Sequence, residues 1–305
     1  MTVNWANKPQ LDRPVFVAAF EGWNDAGNAA SDAVRFLGRS ASAVELATLD
    51  PQEWLDFQAA RPVVTIADGV VRTTTWPSIK FLASPAAVSG FGRDLVLLVG
   101  PEPNLRWPAF CDEVVGVARE LGSSLAITLG ALLADVPHTR AIQVTGTASD
   151  PETVASLNLT RSRYEGPTGI VGVLSDAFRR AGMPSASLWA SVPHYVATPP
   201  NPRATHALLE RLAELVDVNL PLRSLEIAGA AWVRQVDEVA AGDEDIGRYV
   251  QELETRHDAT DEADEDDDDG TDDALGALRE EDLPTGDSLA ADFEQFLRDQ
   301  SEDDE

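Results

Sequence analysis

Residues 15–37 (VFVAAFEGWNDAGNAASDAVRFL) constrain the fold of this chain more than any other stretch. Val15–Phe20 is a short, continuous apolar run rich in β-prone residues, which is typical of a strand buried on both faces of a sheet. From Ala26 the apolar residues recur at helical spacing, so the pattern predicts a helix that continues to Leu37. A strand that leads into a helix through the polar turn Glu21–Asp25 indicates an α/β protein.

This polar turn is the first candidate site. In open α/β sheets the ligand-binding groups follow the carboxyl ends of the strands, and Glu21, Trp23, Asn24 and Asp25 stand at that position. The other interpretation is structural: Asn24 or Asp25 caps the first turn of the helix, and Trp23 covers the end of the strand. The sequence leaves both interpretations open.

Composition excludes several classes of protein. A chain of 305 residues, 44% of them hydrophobic, can form one large core or two small ones. No apolar run approaches the roughly 20 residues of a membrane helix, and the first residues contain no apolar stretch suited to a signal peptide. Cys111 is the only cysteine, so we expect a cytoplasmic protein without an internal disulfide, in which Cys111 is a small core residue.

The negative charge is concentrated at the end of the chain. Residues 258–305 contain 22 Asp and Glu against Arg279 and Arg298, a net charge of −20, and residues 1–257 carry the remaining −9. Phosphate binding requires clustered Lys and Arg, and lysine occurs only at Lys8 and Lys80. We therefore expect neither a nucleic acid nor a membrane as partner.

The remaining pattern alternates strands and helices. It predicts strands at 43–48, 79–83, 95–99, 125–129, 141–145 and 187–191, and helices that begin at Pro51, Pro108, Pro151, Pro167 and Pro202. Residues 63–76 (VVTIADGVVRTTTW) predict a β-hairpin that turns at Asp68-Gly69. A hairpin that leaves an α/β core often forms a subunit contact or shields a site.

These patterns predict four consecutive regions: a core domain at 1–221, a helical extension at 222–257, a disordered acidic linker at 258–286 and a tethered segment at 287–305. In the last region Leu289, Phe293, Phe296 and Leu297 recur at helical spacing. A tethered amphipathic segment commonly docks into a groove, either on its own core or on a partner. Simple packing against the core is the alternative.

A larger candidate site emerges when all loops after the strands are considered together. The loops at 21–25, 102–107, 135–140 and 194–195 are predicted to meet at one edge of the sheet, and the loop 164–168 can reach them. The candidate residues are Glu21, Trp23, Asn24, Asp25, Arg106, His138, Arg140, Tyr164, Glu165, His194 and Tyr195. Both histidines follow a proline at a strand end, where the alternative role is to satisfy loop backbone.

Familiar catalytic motifs are absent from the sequence. It contains no G-x-S-x-G, H-E-x-x-H, paired C-x-x-C or G-x-x-x-x-G-K-[ST]. The acidic run at 264–269 lacks the spacing of a calcium loop. We therefore expect no cofactor, no metal and no recognisable catalytic residue, and the question of enzymatic activity stays open.

Four motifs, taken in order, resemble the proteasome assembly chaperone 2 family in its bacterial, actinobacterial-type branch. They are FEGWNDAGNAAS (20–31), VPHTR (136–140), SRYEGPTGIVGVL (162–174) and VPHYV (192–196), and the resemblance covers about residues 12–250. It implies a three-layer α/β/α sandwich with a mixed, mostly parallel central sheet of the phosphorylase/hydrolase-like type. It also implies self-association or pairing with a related subunit.

The eukaryotic relatives in this family help to assemble proteasome α-rings, and some dock through a C-terminal hydrophobic-Tyr-X tail. This sequence ends in SEDDE, so docking by that route is not expected. The first hypothesis is a non-enzymatic, chaperone-like interaction protein that forms a homo-oligomer, either a dimer or a trimer, and contacts another protein through its tail. The second is a small-molecule-binding protein or enzyme that uses the strand-end loops.

Overall fold

The computed structural model describes residues 3–67, 71–162 and 164–266. Its ten strands are β1 (Val3–Trp5), β2 (Val15–Glu21), β3 (Val44–Leu49), β4 (Val63–Ala67), β5 (Val71–Thr75), β6 (Ile79–Ser84), β7 (Leu95–Pro101), β8 (Leu125–Ala134), β9 (Val144–Ala148) and β10 (Ser185–Pro193). Its helices are α1 (Ala29–Ser40), α2 (Pro51–Trp54), α3 (Ala86–Ser89), α4 (Trp107–Glu120), α5 (Pro151–Leu157), α6 (Ile170–Arg180), α7 (Pro202–Val216), α8 (Arg223–Ala241) and α9 (Glu244–Asp266).

Eight of these strands form one mixed sheet in the order β1-β3-β6-β7-β2-β8-β10-β9. The four central strands β7, β2, β8 and β10 are parallel, whereas the pairs toward both edges are antiparallel. The predicted α/β fold with a mixed central sheet is therefore confirmed. Strands β4 and β5 form a separate two-stranded sheet, as the hairpin pattern predicts, although the turn at 68–70 lies outside the described residues.

Helices cover both faces of the large sheet and create two large apolar cores. Phe16 and Phe20 of β2 belong to the core beneath α4 and α6, whereas Val15 and Val17 belong to the core beneath α1 and α7. Successive side chains of a strand point to opposite faces, so a strand buried on both faces needs the continuous apolar run seen at 15–20. Cys111 lies in the first core, as predicted.

Two long helices extend the second helical layer. Helix α8 packs against α7, and α9 packs against α8, with the break close to Gly242 where the sequence predicts it. Helix α9 continues to Asp266, which corrects the predicted start of the disordered linker at 258. The rest of that linker and the predicted segment 287–305 lie outside the described residues. Of the helices that the structure describes, none is both long and apolar enough to cross a membrane.

Several boundaries differ from the prediction. Helix α6 begins at Ile170 and not at Gly166-Pro167. Strand β8 extends to Ala134 because β10 pairs with it along nine successive residues. Helix α1 begins at Ala29, since residues 26–28 form a 3₁₀ turn in which Gly27 has a φ of 61°. Strand β1, which pairs with β3, is absent from the sequence-based prediction.

Candidate functional site

The carboxyl ends of the four parallel strands lie along one edge of the sheet. The turn 21–25 follows β2, the loop 102–106 follows β7, the loop 135–143 follows β8, and residues 194–196 follow β10. The sequence-based prediction that these loops share one edge therefore agrees with the topology. Their contacts divide them into two groups, one around β2 and β7 and the other around β8 and β10.

The turn after β2 is held by Asp25. Its Oδ1 accepts hydrogen bonds from the backbone N–H groups of Ala30 (2.7 Å) and Ser31 (3.1 Å), the second and third residues of α1. These amides have no partner inside the helix, so Asp25 has the capping role that the sequence allows. Burial raises the pKa of the Asp25 carboxyl. Its Oδ2 has no hydrogen-bond partner among the described residues.

A second contact ties the loops after β2 and β7 to helix α6. Glu102 Oε1 accepts a hydrogen bond from Asn24 Nδ2 (2.7 Å) and another from the backbone N–H of Ile170 (2.8 Å). Asn24 is 1% exposed. Since Ile170 is the first residue of α6, the Glu102 carboxylate lies at the positive end of that helix, where a negative charge is stabilising.

Replacing Glu102 with Ala is expected to lower the free energy of unfolding by about 2 kcal/mol, because the buried Asn24 amide and the Ile170 N–H lose their acceptor. Glu102→Gln retains an acceptor oxygen and should lose less than half of that. Urea denaturation of both variants tests this prediction. Equal losses in the two variants would show that charge, and not the two hydrogen bonds, accounts for the effect.

A cavity of about 630 Å³ opens beside this contact, between the ends of β2 and β7 and the β4–β5 hairpin. Its walls include Glu21, Arg35, Arg61, Trp76, Lys80 and Glu102. Glu21 forms an ion pair with Arg35, and Lys80 with Glu45 (3.0 Å). The volume of the cavity is in the range of small-ligand pockets, about 300–1,000 Å³. Within the part of the chain that is described, no cluster of three or more potential metal ligands occurs.

The second group of loops binds the C-terminal helices through His138, which is 1% exposed. Its Nδ1 lies 2.7 Å from the hydroxyl oxygen of Tyr195. The same oxygen accepts a hydrogen bond from the backbone N–H of His138. Its Nε2 lies 3.1 Å from Asp237 on α8. A tyrosine proton donated to Nδ1 and an Nε2–H donated to Asp237 satisfy all three groups. Burial raises the pKa of Tyr195 to about 12.

Arg140 makes the corresponding contact with α9. Its guanidinium binds Asp258 through two hydrogen bonds of 2.7 and 2.8 Å and also contacts Glu254 at 3.1 Å. The hydrogen bonds with Asp258 raise the pKa of Arg140 and lower the pKa of Asp258. We refer to the contacts of His138 and Arg140 with α8 and α9 as the C-terminal latch.

The other predicted site residues make separate contacts. His194 is 40% exposed, pairs with Asp135 (3.1 Å) and has edge-on ring contacts with Tyr195 and with Tyr249 of α9. Arg106 pairs with Glu53 and lies over the ring of Trp54. Trp23 is 67% exposed and so does not cover the strand end. Tyr164 donates to the carbonyl of Pro167 (2.7 Å), and Glu165 is exposed.

The structure therefore uses His138, Arg140 and Tyr195 for the latch, and Asn24 and Asp25 for the turn, while Glu21 alone of the predicted residues lines the cavity. Sequence reasoning missed Glu102 because a single carboxylate in a Pro-Glu-Pro loop carries no pattern. It also missed Arg61, Trp76 and Lys80, since their common wall depends on how the hairpin folds over the sheet. The hairpin pattern at 63–76 was the available signal.

The fold and this edge define an α/β/α protein with a mixed sheet, a projecting hairpin and a latched pair of C-terminal helices. A sequence model of the PAC2 family matches residues 19–240. The chain belongs to the PAC2 family.

Solved structures of actinobacterial and archaeal proteins agree with this fold. A PAC2 family protein of Streptomyces avermitilis is 49% identical, with 78% of this chain and 99% of that chain covered and a TM-score of 0.71. A proteasome-assembly chaperone homologue of Mycobacterium tuberculosis is 46% identical, with 77% and 99% covered and a TM-score of 0.70. An archaeal proteasome activator of Pyrococcus furiosus is 16% identical, with 78% and 98% covered and a TM-score of 0.62, and shares the fold. Comparison with curated proteins finds no match.

Proposed function

We propose that the chain is a non-enzymatic interaction protein of the assembly-chaperone type that associates with a second copy of itself through the β4–β5 hairpin. The single observation that carries this proposal is the exposed apolar surface of the hairpin. Val64 and Ile66 on one face of the hairpin are 42% and 68% exposed, and Val63 and Val71 on the other face are 60% and 58% exposed. Large apolar side chains grouped on one projecting element are typical of a protein interaction site.

The hairpin has two faces with different surroundings. Val63 and Thr75 are cross-strand partners and line the cavity, whereas Val64 and Ile66, opposite Thr74 and Arg72, belong to the other face. We refer to the face that contains Val64 and Ile66 as the outer face. A two-stranded hairpin is only marginally stable by itself in water, so burial of its outer face against a partner stabilises it.

Charge favours a second copy as that partner. The chain has a net charge of −29, so two copies repel each other at long range. Strands β4 and β5 contain no Asp or Glu, and Arg72 is their one charged residue. Each strand pairs only with the other within the described residues, so its outer edge can pair with the same strand of a second copy.

Light scattering of the full chain tests the self-association. The expected mass is two or three times the 32.7 kDa of one chain, and Ile66→Lys should reduce it to that of a monomer at micromolar concentration, since a buried unpaired charge is unfavourable. Val239→Lys is the matched control, because Val239 on α8 is 65% exposed but lies far from the hairpin in sequence. Its mass should remain that of the oligomer.

A monomer at all concentrations, or an unchanged mass for Ile66→Lys, would contradict the proposal. The chaperone role has its own test, motivated by the 46%-identical relative described as a proteasome-assembly chaperone homologue. The full chain should increase the rate at which purified proteasome α-subunits form rings, and Ile66→Lys should reduce that increase. An unchanged rate of ring formation would contradict the proposal that proteasome α-subunits are clients of this chain.

A further inference from the structure

The cavity between the hairpin and the sheet offers a binding surface that is both cationic and apolar. Arg61 is exposed and forms no ion pair or hydrogen bond among the described residues. Of the two carboxylates of the wall, Glu21 is paired with Arg35, and Glu102 accepts its hydrogen bonds from neutral amides and keeps its charge. Arg35 and Lys80 have carboxylate partners, so Arg61 is the one cation of the wall that lacks such a partner among the described residues.

The apolar part of the surface is provided by Trp76. This side chain is 55% exposed, and its ring packs edge-to-face against Phe57 with a centroid distance of 4.9 Å. Val63 stands beside it on the inner face of the hairpin. An exposed aromatic ring and a guanidinium in the wall of one cavity suit a ligand that combines apolar side chains with carboxylates.

The segment 287–305 of the same chain has this chemistry. Phe293, Phe296 and Leu297 recur at helical spacing, and the segment contains eight Asp and Glu against the single Arg298. Anchors at positions i, i+3 and i+4 are typical of an amphipathic helix that binds a groove. A cavity of about 630 Å³ accommodates a few such side chains rather than a whole helix.

The stretch of chain between α9 and the segment 287–305 is long enough for the segment to reach the cavity. About 20 residues separate Asp266, the end of α9, from this segment, and an extended chain spans at most about 3.5 Å per residue, or roughly 70 Å. The radius of gyration of a domain of 260 residues is about 18 Å. Moreover, Asp258 of α9 binds Arg140 in the loop after β8, so the chain leaves α9 about two turns beyond the sheet edge on which the cavity opens.

We propose that residues 287–305 fold back onto their own chain and insert Phe293, Phe296 and Leu297 into the cavity beneath the hairpin, with Arg61 neutralising the adjacent carboxylates. Covalent linkage at this length gives an effective concentration on the order of millimolar, so even weak contacts produce substantial occupancy. This proposal uses the inner face of the hairpin and does not depend on self-association through its outer face.

Photocrosslinking in the full chain tests the proposal. Phe296 is replaced with a benzophenone-bearing amino acid, the protein is irradiated, and the linked peptides are identified by mass spectrometry. Most crosslinks are expected at 59–63 and 75–80, and their yield should fall with added salt because screening weakens the ion pairs. The same photoreactive residue at Ala291, on the opposite face of the predicted helix, should give a severalfold lower yield at these peptides.

Charge reversal provides a second measurement. Arg61→Glu is expected to lower the crosslink yield about threefold, since it replaces an attraction with a repulsion at an exposed site. Arg93→Glu is the matched control, because Arg93 is also exposed and without a partner among the described residues, and it should leave the yield unchanged. An equal mixture of isotopically light and heavy protein should give crosslinks within one chain only.

Three results would overturn the proposal. Crosslinks confined to another surface would remove the cavity as the binding site. Crosslinks that join light and heavy chains would show that the segment reaches a second copy and does not fold back. Equal yields for Arg61→Glu and Arg93→Glu would remove the charge contact. None of these results would alter the mass of the oligomer, so they are separable from failure of the proposed self-association.

Discussion

His138→Ala is expected to lower the free energy of unfolding by about 3 kcal/mol and to release helices α8 and α9 from the sheet. The substitution leaves a cavity at a side chain that is 1% exposed. It also removes the hydrogen bonds with Tyr195 and Asp237. Because these contacts hold α8, the loss should appear first as local opening. Amide hydrogen exchange across 223–258 should become about 100-fold faster.

His194→Ala is the control for this prediction. Both histidines follow Val-Pro at the end of a parallel strand, but His194 is 40% exposed, and it has an ion pair with Asp135 and an edge-on ring contact with Tyr249 of α9. An exposed ion pair contributes less than about 1 kcal/mol and an aromatic contact about 0.5–1.5 kcal/mol, so exchange in α8 should change little and exchange in α9 should rise far less than in His138→Ala. Similar effects of the two substitutions would contradict the assignment of His138 as the centre of the latch.

Gly100→Ala is expected to lower the free energy of unfolding by about 3 kcal/mol, the upper end of the usual loss for overpacking. A Cβ at position 100 would lie 2.7 Å from the Cα of Ile79 and 2.7 Å from the carbonyl oxygen of Ser78. Both are backbone atoms of the chain at the start of β6, so relief requires β6 to move away from β7. Urea denaturation should show a lower midpoint with an unchanged slope.

Gly116→Ala makes the same chemical change at a position with open space. Gly116 lies inside α4, and apart from its chain neighbours and the backbone of its own helix no atom lies within 4 Å of its added Cβ. Alanine loses less backbone entropy than glycine in a helix, so the substitution should raise the free energy of unfolding by about 0.5–1 kcal/mol. Opposite changes in the free energy of unfolding for Gly100→Ala and Gly116→Ala would separate the effect of backbone packing from that of helix propensity. Changes of the same sign would contradict the close approach of β6 and β7.

The sequence predicted the fold well because its main signals are local. The apolar run at 15–20, the hairpin pattern at 63–76 and the prolines at the starts of α5 and α7 correspond to elements of the structure. The start of α6 was missed for a physical reason: the first N–H of that helix is bonded to Glu102, 68 residues earlier in the chain. A local pattern cannot show a contact of this kind.

The candidate site was predicted less well. The loops were placed correctly at one edge. However, His138 and Arg140 bind α8 and α9 through partners about 100 residues away, and no local sequence pattern indicates contacts between residues so far apart in the chain. The two Val-Pro-His motifs look alike, yet only the first histidine is buried, whereas the second is 40% exposed and has one edge-on ring contact with Tyr249 of α9. The cavity was missed because its walls come from four separate parts of the chain, 21–35, 59–63, 75–80 and 99–104.

The latch also has a consequence for the order in which the protein is completed. Arg140 and Asp258 are 118 residues apart, and a ribosome that adds about 5–20 residues per second needs roughly 6–24 s to pass from one to the other. During that interval the nascent loop around His138 lacks its contacts with α8 and α9. The carboxyl edge of the sheet therefore reaches its final form only after α9 has been synthesised, and a chain that stalls or is truncated before α9 leaves this edge exposed to the cell.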